Sequence, residues 1–521
     1  MSLPKVLIVD LRSQTTNNIE RVVREKGRRS AVFTPDKAKG WIAQGNEVHS
    51  VILSGGDFSV FAKDAPKVPE EIFSLKRADG SPVPILGICF GHQYLANLFG
   101  GKVATHQAEF GKTLIELRSM NDPLFEGTEP EQEVWMNHHD SVVMEPNNFV
   151  VTSRSMRTGG ISSIANHKRK YYGVQFHPEV THSIYGDRII ENFLGSKISD
   201  CACDWSPISI VDRIRGEVED GVGSGTAMLG MSGGVDSTTL AAIAAPVLKN
   251  RLHGLTVDAY HLRLNEIDEI RLHAQAASLN LTVKTLDIVD AFAHTIDAEE
   301  KREIFVTKGY LPPFLDFSRE KGAKKFLQGS LAPDFIESGK TGGHMIKTHH
   351  NASAALKEAM AREGIEQLHP LRDLFKYEVR AIAQKLGLPE SVFSRKPFPG
   401  PGKFLRVIGT SVTHPLLDCI GWADDEVKKI LREDQKLWDD ISQLVVGYWG
   451  VNTVGQKGDG RKYSGSIAYR GVKTTDYMTA EGIAFEPAIQ KALSSVLTAH
   501  PLVIHAVCVP TDKPPGTIEF E

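Results

Sequence analysis

With 521 residues, 41% of them apolar and 24% charged, the chain is too long for one hydrophobic core and too ordinary in composition for a disordered or fibrous protein. A formal net charge of −4 gives no footing for nucleic acid or an anionic membrane surface. No apolar run reaches the length of a membrane span, and the N-terminus lacks a basic-then-apolar secretory pattern. Five cysteines (89, 201, 203, 419 and 508) fit a reduced cytoplasmic setting. Cys201-Ala-Cys203 has no second Cys or His pair nearby at ligand spacing, so it reads as linker rather than metal site.

In chain order, Lys5-Val-Leu-Ile-Val9, Val48 to Leu53 and Val83 to Ile88 are continuous apolar runs that read as buried strands. The last runs straight into Cys89-Phe90-Gly91-His92-Gln93 and a helix. Gly87-Ile-Cys-Phe-Gly91 is a G-x-C-x-G elbow, whose glycines permit the tight strand-to-helix turn that lifts Sγ clear of a sheet. A helix N-terminus beneath the sulfur favours thiolate. Downstream, Tyr172-Gly-Val-Gln-Phe-His177-Pro-Glu179 is another strand ending in a histidine, with a carboxylate two residues on to orient the imidazole. His167 and His182 read as solvated surface histidines.

Together these residues resemble the class I (triad) glutamine amidotransferase family over nearly all of the first 200 positions. The resemblance implies Cys89 as nucleophile, His177 as general base and acid, and Glu179 as the orienting residue. It implies an oxyanion hole from the backbone N–H groups of Gly56 and Phe90. Gln93 and the Asn137-His138-His139-Asp140 run would hold glutamine, with Asp140 facing its α-amino group.

Ser196 to Asp204 loses apolar periodicity and reads as a hinge. Beyond it, Thr226 to Met231 reads as a strand, Ser232-Gly233-Gly234-Val235-Asp236-Ser237 as a turn, and Thr238 to Ala245 as a packed helix. Strand, Gly/Ser turn and helix aim backbone N–H groups at phosphate. The glycines allow close approach, Ser232 and Ser237 add hydroxyls, and Asp236 is placed to hold Mg2+ against the phosphates. No Gly-Lys-Ser/Thr follows, so this is not a Walker loop. It resembles the pyrophosphate loop of the N-type ATP pyrophosphatases, which adenylate a carbonyl oxygen and release pyrophosphate. Leu252 to Asp258 and Leu281 to Asp287 are the next strands, a doubly wound pattern with its site at the strand tips. Pro397-Phe-Pro-Gly-Pro-Gly402 is too rich in Pro and Gly for helix or central strand and suits a pocket wall.

Farther on, Ala423 to about Leu444 reads as helix, and Gly465 to Lys473 and Leu502 to Val509 as strands. From end to end the chain is similar to the GMP synthetase family. Q-G-x-x-x-P-D-x-I-E-S, I-K-x-H-H-N, P-L-R-x-L-F-K, R-x-P-F-P-G-P-G, G-D-G-R-x-Y and K-P-P-G-T-I-E-x-E occur in order. The resemblance implies an α/β protein: an amidotransferase domain (1–200), a second doubly wound domain, the ATP pyrophosphatase (205–402), and an α+β domain (403–521) that dimerises and completes the acceptor site. It implies glutamine, ATP and xanthosine monophosphate (XMP) as substrates, with Mg2+. Lys347 would face the pyrophosphate of ATP, and Arg302, Pro399, Gly400, Lys513, Ile518 and Glu519 the acceptor.

Departures from the family pattern cluster on that acceptor side. They include Ala259-Tyr260 for N-G, Ala352 to Ala355 for a V-G-G run, and His505 for an arginine, with Lys457 placed to compensate. A second reading is therefore a paralogue that activates another heterocyclic carbonyl with the same machinery. A third, a nucleotide-binding regulator without activity, ranks lower because Cys89, His177, Glu179, Ser232 and Asp236 are all present.

Overall fold

The computed structural model describes residues 6–105, 108–331, 354–474, 480–513 and 515–521. The chain divides at Ser206/Pro207 into two compact units. In the first, the apolar runs become β1 (Val6–Val9), β2 (Ser30–Phe33), β3 (Ser50–Leu53) and β4 (Ile85–Ile88). β1, β3 and β4 are buried along their whole length because helices cover both faces of a parallel sheet. After β4 comes α1 (Phe90–Leu98). The rest of the unit is β5 (Lys102–Ala104), β6 (Glu109–Leu117), β7 (Glu131–His138), β8 (Ser141–Met144), β9 (Val150–Ser155), β10 (Ile161–Asn166) and β11 (Tyr171–Val174). The main path runs β2-β1-β3-β4-β11-β10-β9-β6-β7. Pairing is parallel from β2 through β11 and antiparallel beyond it. The tips of β1, β3, β4 and β11 therefore share one edge, where a parallel α/β sheet gathers its chemistry.

The second unit holds two sheets. β12 (Ala227–Gly230), β13 (Leu252–Asp258), β14 (Asn280–Thr285), β15 (Lys325–Leu327) and β16 (Glu366–Leu368) form a parallel sheet in the order β14-β13-β12-β15-β16. α2 (Val235–Leu248) follows β12, α3 (Glu266–Ala276) follows β13, and α4 (Lys376–Lys385) follows β16. β17 (Val407–Ile408) leads into α5 (His414–Leu431). The second sheet is β17-β18-β19-β20 with β21 on β19, where β18 is Gln443–Lys457, β19 Gly460–Lys473, β20 Glu481–Gly482 and β21 Val503–Cys508. One apolar cluster spans both sheets, from Met228 and Leu255 through Phe292, Phe305 and Phe404 to Leu417 and Val503. Phe292 stacks on Phe404 at 4.1 Å, so the apolar core is continuous across position 403.

The helix expected over Ala423 to Leu444 starts earlier and ends earlier. α5 ends at Leu431, the Asp434 carboxylate accepts the N–H of Leu437 to cap a separate turn, and β18 has begun by Gln443. An aspartate binding its own backbone two to three residues on competes with helix continuation.

Candidate active site

At the tip of β4 the backbone of Cys89 takes φ 51° and ψ −103°, the strained turn that raises a nucleophile off the sheet. Close packing enforces it. A Cβ on Gly87 would lie 2.5 Å from the Gly91 carbonyl oxygen, and one on Gly91 equally close to that of Leu53. The Cys89 N–H bonds Val174 at 2.8 Å and the Gly91 N–H bonds Ser54 at 3.1 Å, tying the elbow to β11 and to the tip of β3. Phe90, first residue of α1, has an N–H without an intrahelical acceptor. Gly56 packs beside it, its position for a Cβ lying 3.4 Å from the Phe90 ring and 2.6 Å from the Leu11 carbonyl oxygen.

Three residues past β11, the His177 imidazole lies with Nδ1 2.7 Å from Glu179 Oε1. A Cβ on Gly55 would sit 3.1 Å from His177 Cε1 and 3.6 Å from Cys89 Cβ, so histidine and thiol flank the same glycine. Burial by itself pulls the His177 pKa down. The Glu179 carboxylate and then Cys89 more than reverse this and hold it well above its ordinary value. Ser183 Oγ donates to the His177 carbonyl at 2.6 Å and accepts the Trp135 N–H at 3.0 Å, fixing the loop.

Two contributors were not singled out from the sequence. Thr15 Oγ1 donates to Glu179 Oε1 at 2.6 Å, and Gln175 Nε2 lies 3.8 Å from Cys89 Sγ. Their signal was position alone, in the loop after β1 and at the tip of β11. Gln93 is buried, with Nε2 bonded to the Asp140 carbonyl at 2.6 Å and to Gln175 at 3.3 Å. Asp140 Oδ1 accepts from Thr105 at 2.5 Å, while its buried Oδ2 has no hydrogen-bond partner among the described residues. Asn137 offers its carbonyl to the Cys89 thiol at 3.7 Å. The next residue, His138, is buried 3.7 Å from Glu109, and His139 is exposed against Phe110. His167 is exposed, as expected, and bonds Asp122 at 2.9 Å. His182 is not simply solvated, since its ring lies 4.5 Å from that of Trp135. Cys201 is buried in the first unit, with its Sγ 3.4 Å from Ser50 Oγ, rather than free in a linker.

In the second unit the Ser232–Ser237 turn closes on itself. Ser237 Oγ accepts the Ser232 N–H at 3.3 Å and lies 3.0 Å from Ser232 Oγ. Gly233 has φ +71°, and a Cβ there would meet Ile270 at 2.5 Å. Gly234 is the N-cap of α2, so the helix N-terminus opens directly into the turn. Lys376, first residue of α4 and last of the P-L-R-D-L-F-K run, donates to Asp236 Oδ2 at 2.5 Å. That lysine was not picked out from sequence, because nothing local reveals that α4 starts beside the turn. The second carboxylate oxygen, Oδ1, is buried and has no hydrogen-bond partner among the described residues. An orphaned carboxylate oxygen beside a phosphate-type turn fits a magnesium ion.

The residues expected at the acceptor are spread over the second unit. Arg302 pairs with Glu299 at 2.7 Å, while its neighbour Lys301 is fully buried against Glu521 at 2.9 Å. Glu519 accepts from Gln443 at 2.6 Å and from Arg406 at 3.3 Å. Ile518 is buried with Val445, Val472 and Ala480. The Lys513 backbone pairs with Ala480. Lys457 bonds the Thr498 and His500 carbonyls at 2.7 and 2.5 Å, capping the end of a helix (Pro487–Leu497), and His505 is exposed on β21. Pro399 and Gly400 are half-buried. Lys347 and the Ala352–Ala355 departure lie outside the residues whose side chains are described.

Beside the Pro-Gly loop lies a charged cluster not foreseen from sequence. The Phe398 ring sits 4.1 Å from the Arg263 guanidinium and 4.6 Å from that of Arg406. Arg263 and Arg406 approach Asp424 at 3.7 and 3.6 Å, and Lys428 bonds the same carboxylate. Burial lowers the Arg263 pKa to about 10 against the pull of Asp424. Arg263, Arg406 and Lys428 thus gather around the buried Asp424, with Glu519 on the far side of Arg406.

Comparison with known proteins finds three family models along the chain. The family model for class-I glutamine amidotransferase matches residues 7–196, that for NAD synthase residues 208–311, and that for the GMP synthase C terminal domain residues 431–520. The chain is 36% identical over 530 residues to the glutamine-hydrolyzing GMP synthase of Caldanaerobacter subterraneus subsp. tengcongensis, covering 99% of both. It is 38% identical over 526 residues to that of Thermus thermophilus, covering 99% of this chain and 100% of the relative. The Mesoplasma florum enzyme is 36% identical, with 100% of both covered. Likeness of this extent, continuous through amidotransferase, synthetase and C-terminal segments, does not favour a paralogue with another acceptor. The chain belongs to the family of glutamine-hydrolyzing GMP synthases.

Proposed function

We propose that this chain aminates XMP to GMP with glutamine as amido donor and ATP as co-substrate, acting as a carbon–nitrogen ligase. The observation that carries the residue assignment is the buried His177–Glu179 pair standing with Cys89 around Gly55, on a chain related over its full length to these ligases.

In the first unit Cys89 Sγ attacks the side-chain amide carbon of glutamine. The oxyanion that forms takes the N–H groups of Gly56 and Phe90. His177 delivers the proton on which ammonia leaves, and water, deprotonated by His177, then releases glutamate from the thioester. Glu179, held by Thr15, keeps the imidazole oriented and stabilises its charged form. Asp140 Oδ2, buried with no hydrogen-bond partner among the described residues, suits the α-ammonium of glutamine.

In the second unit the acceptor's C2 oxygen attacks the α-phosphorus of ATP. Pyrophosphate departs against the Ser232–Ser237 turn, Lys376 and the N-terminus of α2. Mg2+, held by Asp236, would supply charge neutralisation on the phosphates. Ammonia then adds at C2, the C2–O bond breaks, and AMP leaves carrying the former C2 oxygen. Lys347 is assigned to the pyrophosphate, and Arg302, Pro399, Gly400, Lys457, Lys513, Ile518 and Glu519 to the acceptor side. The two guanidinium groups against Phe398 suit the acceptor's phosphate. In the same reading residues 403–521 pair two copies of the chain, and the enzyme works in the cytoplasm. Among the described residues no helix is long and apolar enough to cross a membrane.

The test is isotopic. XMP labelled with 18O at C2, incubated with ATP, magnesium and glutamine, should give GMP together with AMP carrying the label. Unlabelled AMP during turnover would overturn the adenylation step. Light scattering on the purified protein tests the dimer.

A further inference from the structure

The loop from the tip of β13 to α3, Ala259–Asn265, holds two non-glycine residues in the left-handed region, Tyr260 at φ 69° and Asn265 at φ 59°. Asparagine tolerates that conformation, whereas for a bulky aromatic it is a genuine outlier. A strained residue persists only where the surroundings over-determine it, and such residues cluster at functional sites. Here the surroundings fix the loop from three sides. Gly402 seats against it so tightly that a Cβ would lie 2.1 Å from the His261 carbonyl oxygen, and the Lys403 N–H bonds that same oxygen at 2.9 Å. The Tyr260 N–H bonds Asp258 Oδ1 at 3.1 Å. α3, which the loop enters, is locked to the phosphate turn through His273 Nδ1 and the Gly233 carbonyl at 3.0 Å.

The strained residue is nevertheless not buried for packing. Tyr260 is 40% exposed and its neighbour Leu264 is 56% exposed. An aromatic ring and an aliphatic side chain thus stand in solvent on the strand tip next to the Ser232–Ser237 turn. The ring meets His414 edge-on at 4.8 Å, and His414 is itself held by Asp287 at 2.8 Å. One edge of Tyr260 is therefore propped while the ring remains open to a ligand. A nucleotide whose phosphates occupy the turn, or one brought beside it for adenylation, carries a flat apolar base that needs such a surface.

From this geometry we infer that Tyr260 is a stacking platform for a purine base, a specificity-determining residue of the adenylation site. The inference rests on the adenylation reading above and adds to it which side chain selects the base. The base belongs to ATP or to the purine acceptor, and binding measurements separate the two.

The experiment is equilibrium dialysis of the full-length protein and of Tyr260→Phe and Tyr260→Gly with ATP, XMP and inorganic tripolyphosphate, alongside thermal melting and wild-type turnover. Tyr260→Gly should weaken ATP or XMP about tenfold or more and leave tripolyphosphate unchanged. Tyr260→Phe should remain within about twofold of wild type, because it keeps the ring. The nucleotide that suffers identifies the base. Tyr260→Gly should also melt no lower than wild type, because glycine relieves the strain at positive φ. Unchanged affinity for both nucleotides in Tyr260→Gly, an equal loss for tripolyphosphate, or a Tm lower by several degrees would each overturn the inference and make the ring a structural prop. Absence of GMP formation by the wild type, with the dialysis pattern intact, would sink the functional reading and not the platform.

Discussion

Glu179→Gln is the substitution that most directly tests the first unit. The side chain keeps its size and can still meet His177 Nδ1, but the negative charge 2.7 Å from that nitrogen is gone from a buried site. Charges about 4 Å apart between centres at an effective dielectric of about 20 are worth about 4 kcal/mol, or about three powers of ten in rate. Loss of the orienting carboxylate of a triad is of the same order, about 10⁴-fold. Glutaminase kcat/KM should therefore fall about 10³- to 10⁴-fold, read as glutamate release, while GMP formation from added ammonium chloride stays at the wild-type rate. The pH dependence supplies a second readout. His177 has a pKa raised by Glu179 and Cys89 against burial. A raised histidine pKa stabilises the folded enzyme fully below the unfolded value near 6.5, and that contribution disappears as pH rises through the folded value. The charged imidazole needed opposite thiolate is lost over the same upper range, which forms the alkaline limb of the glutaminase profile. Removing Glu179 takes away the largest upward influence, so that limb should move to lower pH. Glutaminase within tenfold of wild type and an unmoved limb would refute the assignment of His177 and Glu179 as base and orienter.

Cys89→Ala should abolish glutamine-dependent amination and leave ammonium-dependent amination intact; loss of both in a folded protein would refute the division of labour between the units. Gly233→Ala forces a Cβ into Ile270 at positive φ, so pyrophosphate release should fall at least about a hundredfold, by about 3 kcal/mol of strain, with glutamine hydrolysis retained. Lys376→Met removes a charge-assisted bond to Asp236 and should slow ammonium-dependent synthesis about 10- to 100-fold (about 1.5–3 kcal/mol), seen as AMP formation at saturating XMP. Thr15→Val deletes one donor to Glu179 and should cost glutaminase alone about tenfold.

Much of this fold was legible from sequence, because its sharpest turns lie where strand period and turn residues are strongest. The elbow around Cys89 needs glycine at 87 and 91 on local steric grounds, and the Ser232–Ser237 turn needs Gly233 for its positive φ. Both therefore leave a short, readable signature. The acceptor side was less legible. Nothing local in Lys301 or Arg302 says which points inward, and the fold buries Lys301 against Glu521 while leaving Arg302 on Glu299. The sequence around Ile518 does not show that its side chain packs with Val445, Val472 and Ala480.

Sequence alone determined the elbow at Cys89, the strand that ends in His177 and Glu179, the Ser232–Ser237 turn, and the two parallel sheets that present them, since each is dictated within a dozen residues by backbone geometry. The tertiary structure alone decided that Thr15 shares Glu179, that Lys376 closes on Asp236, and that Arg263 and Arg406 clasp Phe398. It also decided that one core runs unbroken from the parallel sheet into the C-terminal one. Those contacts join side chains tens to hundreds of positions apart, and no local preference encodes a partner that only folding brings near.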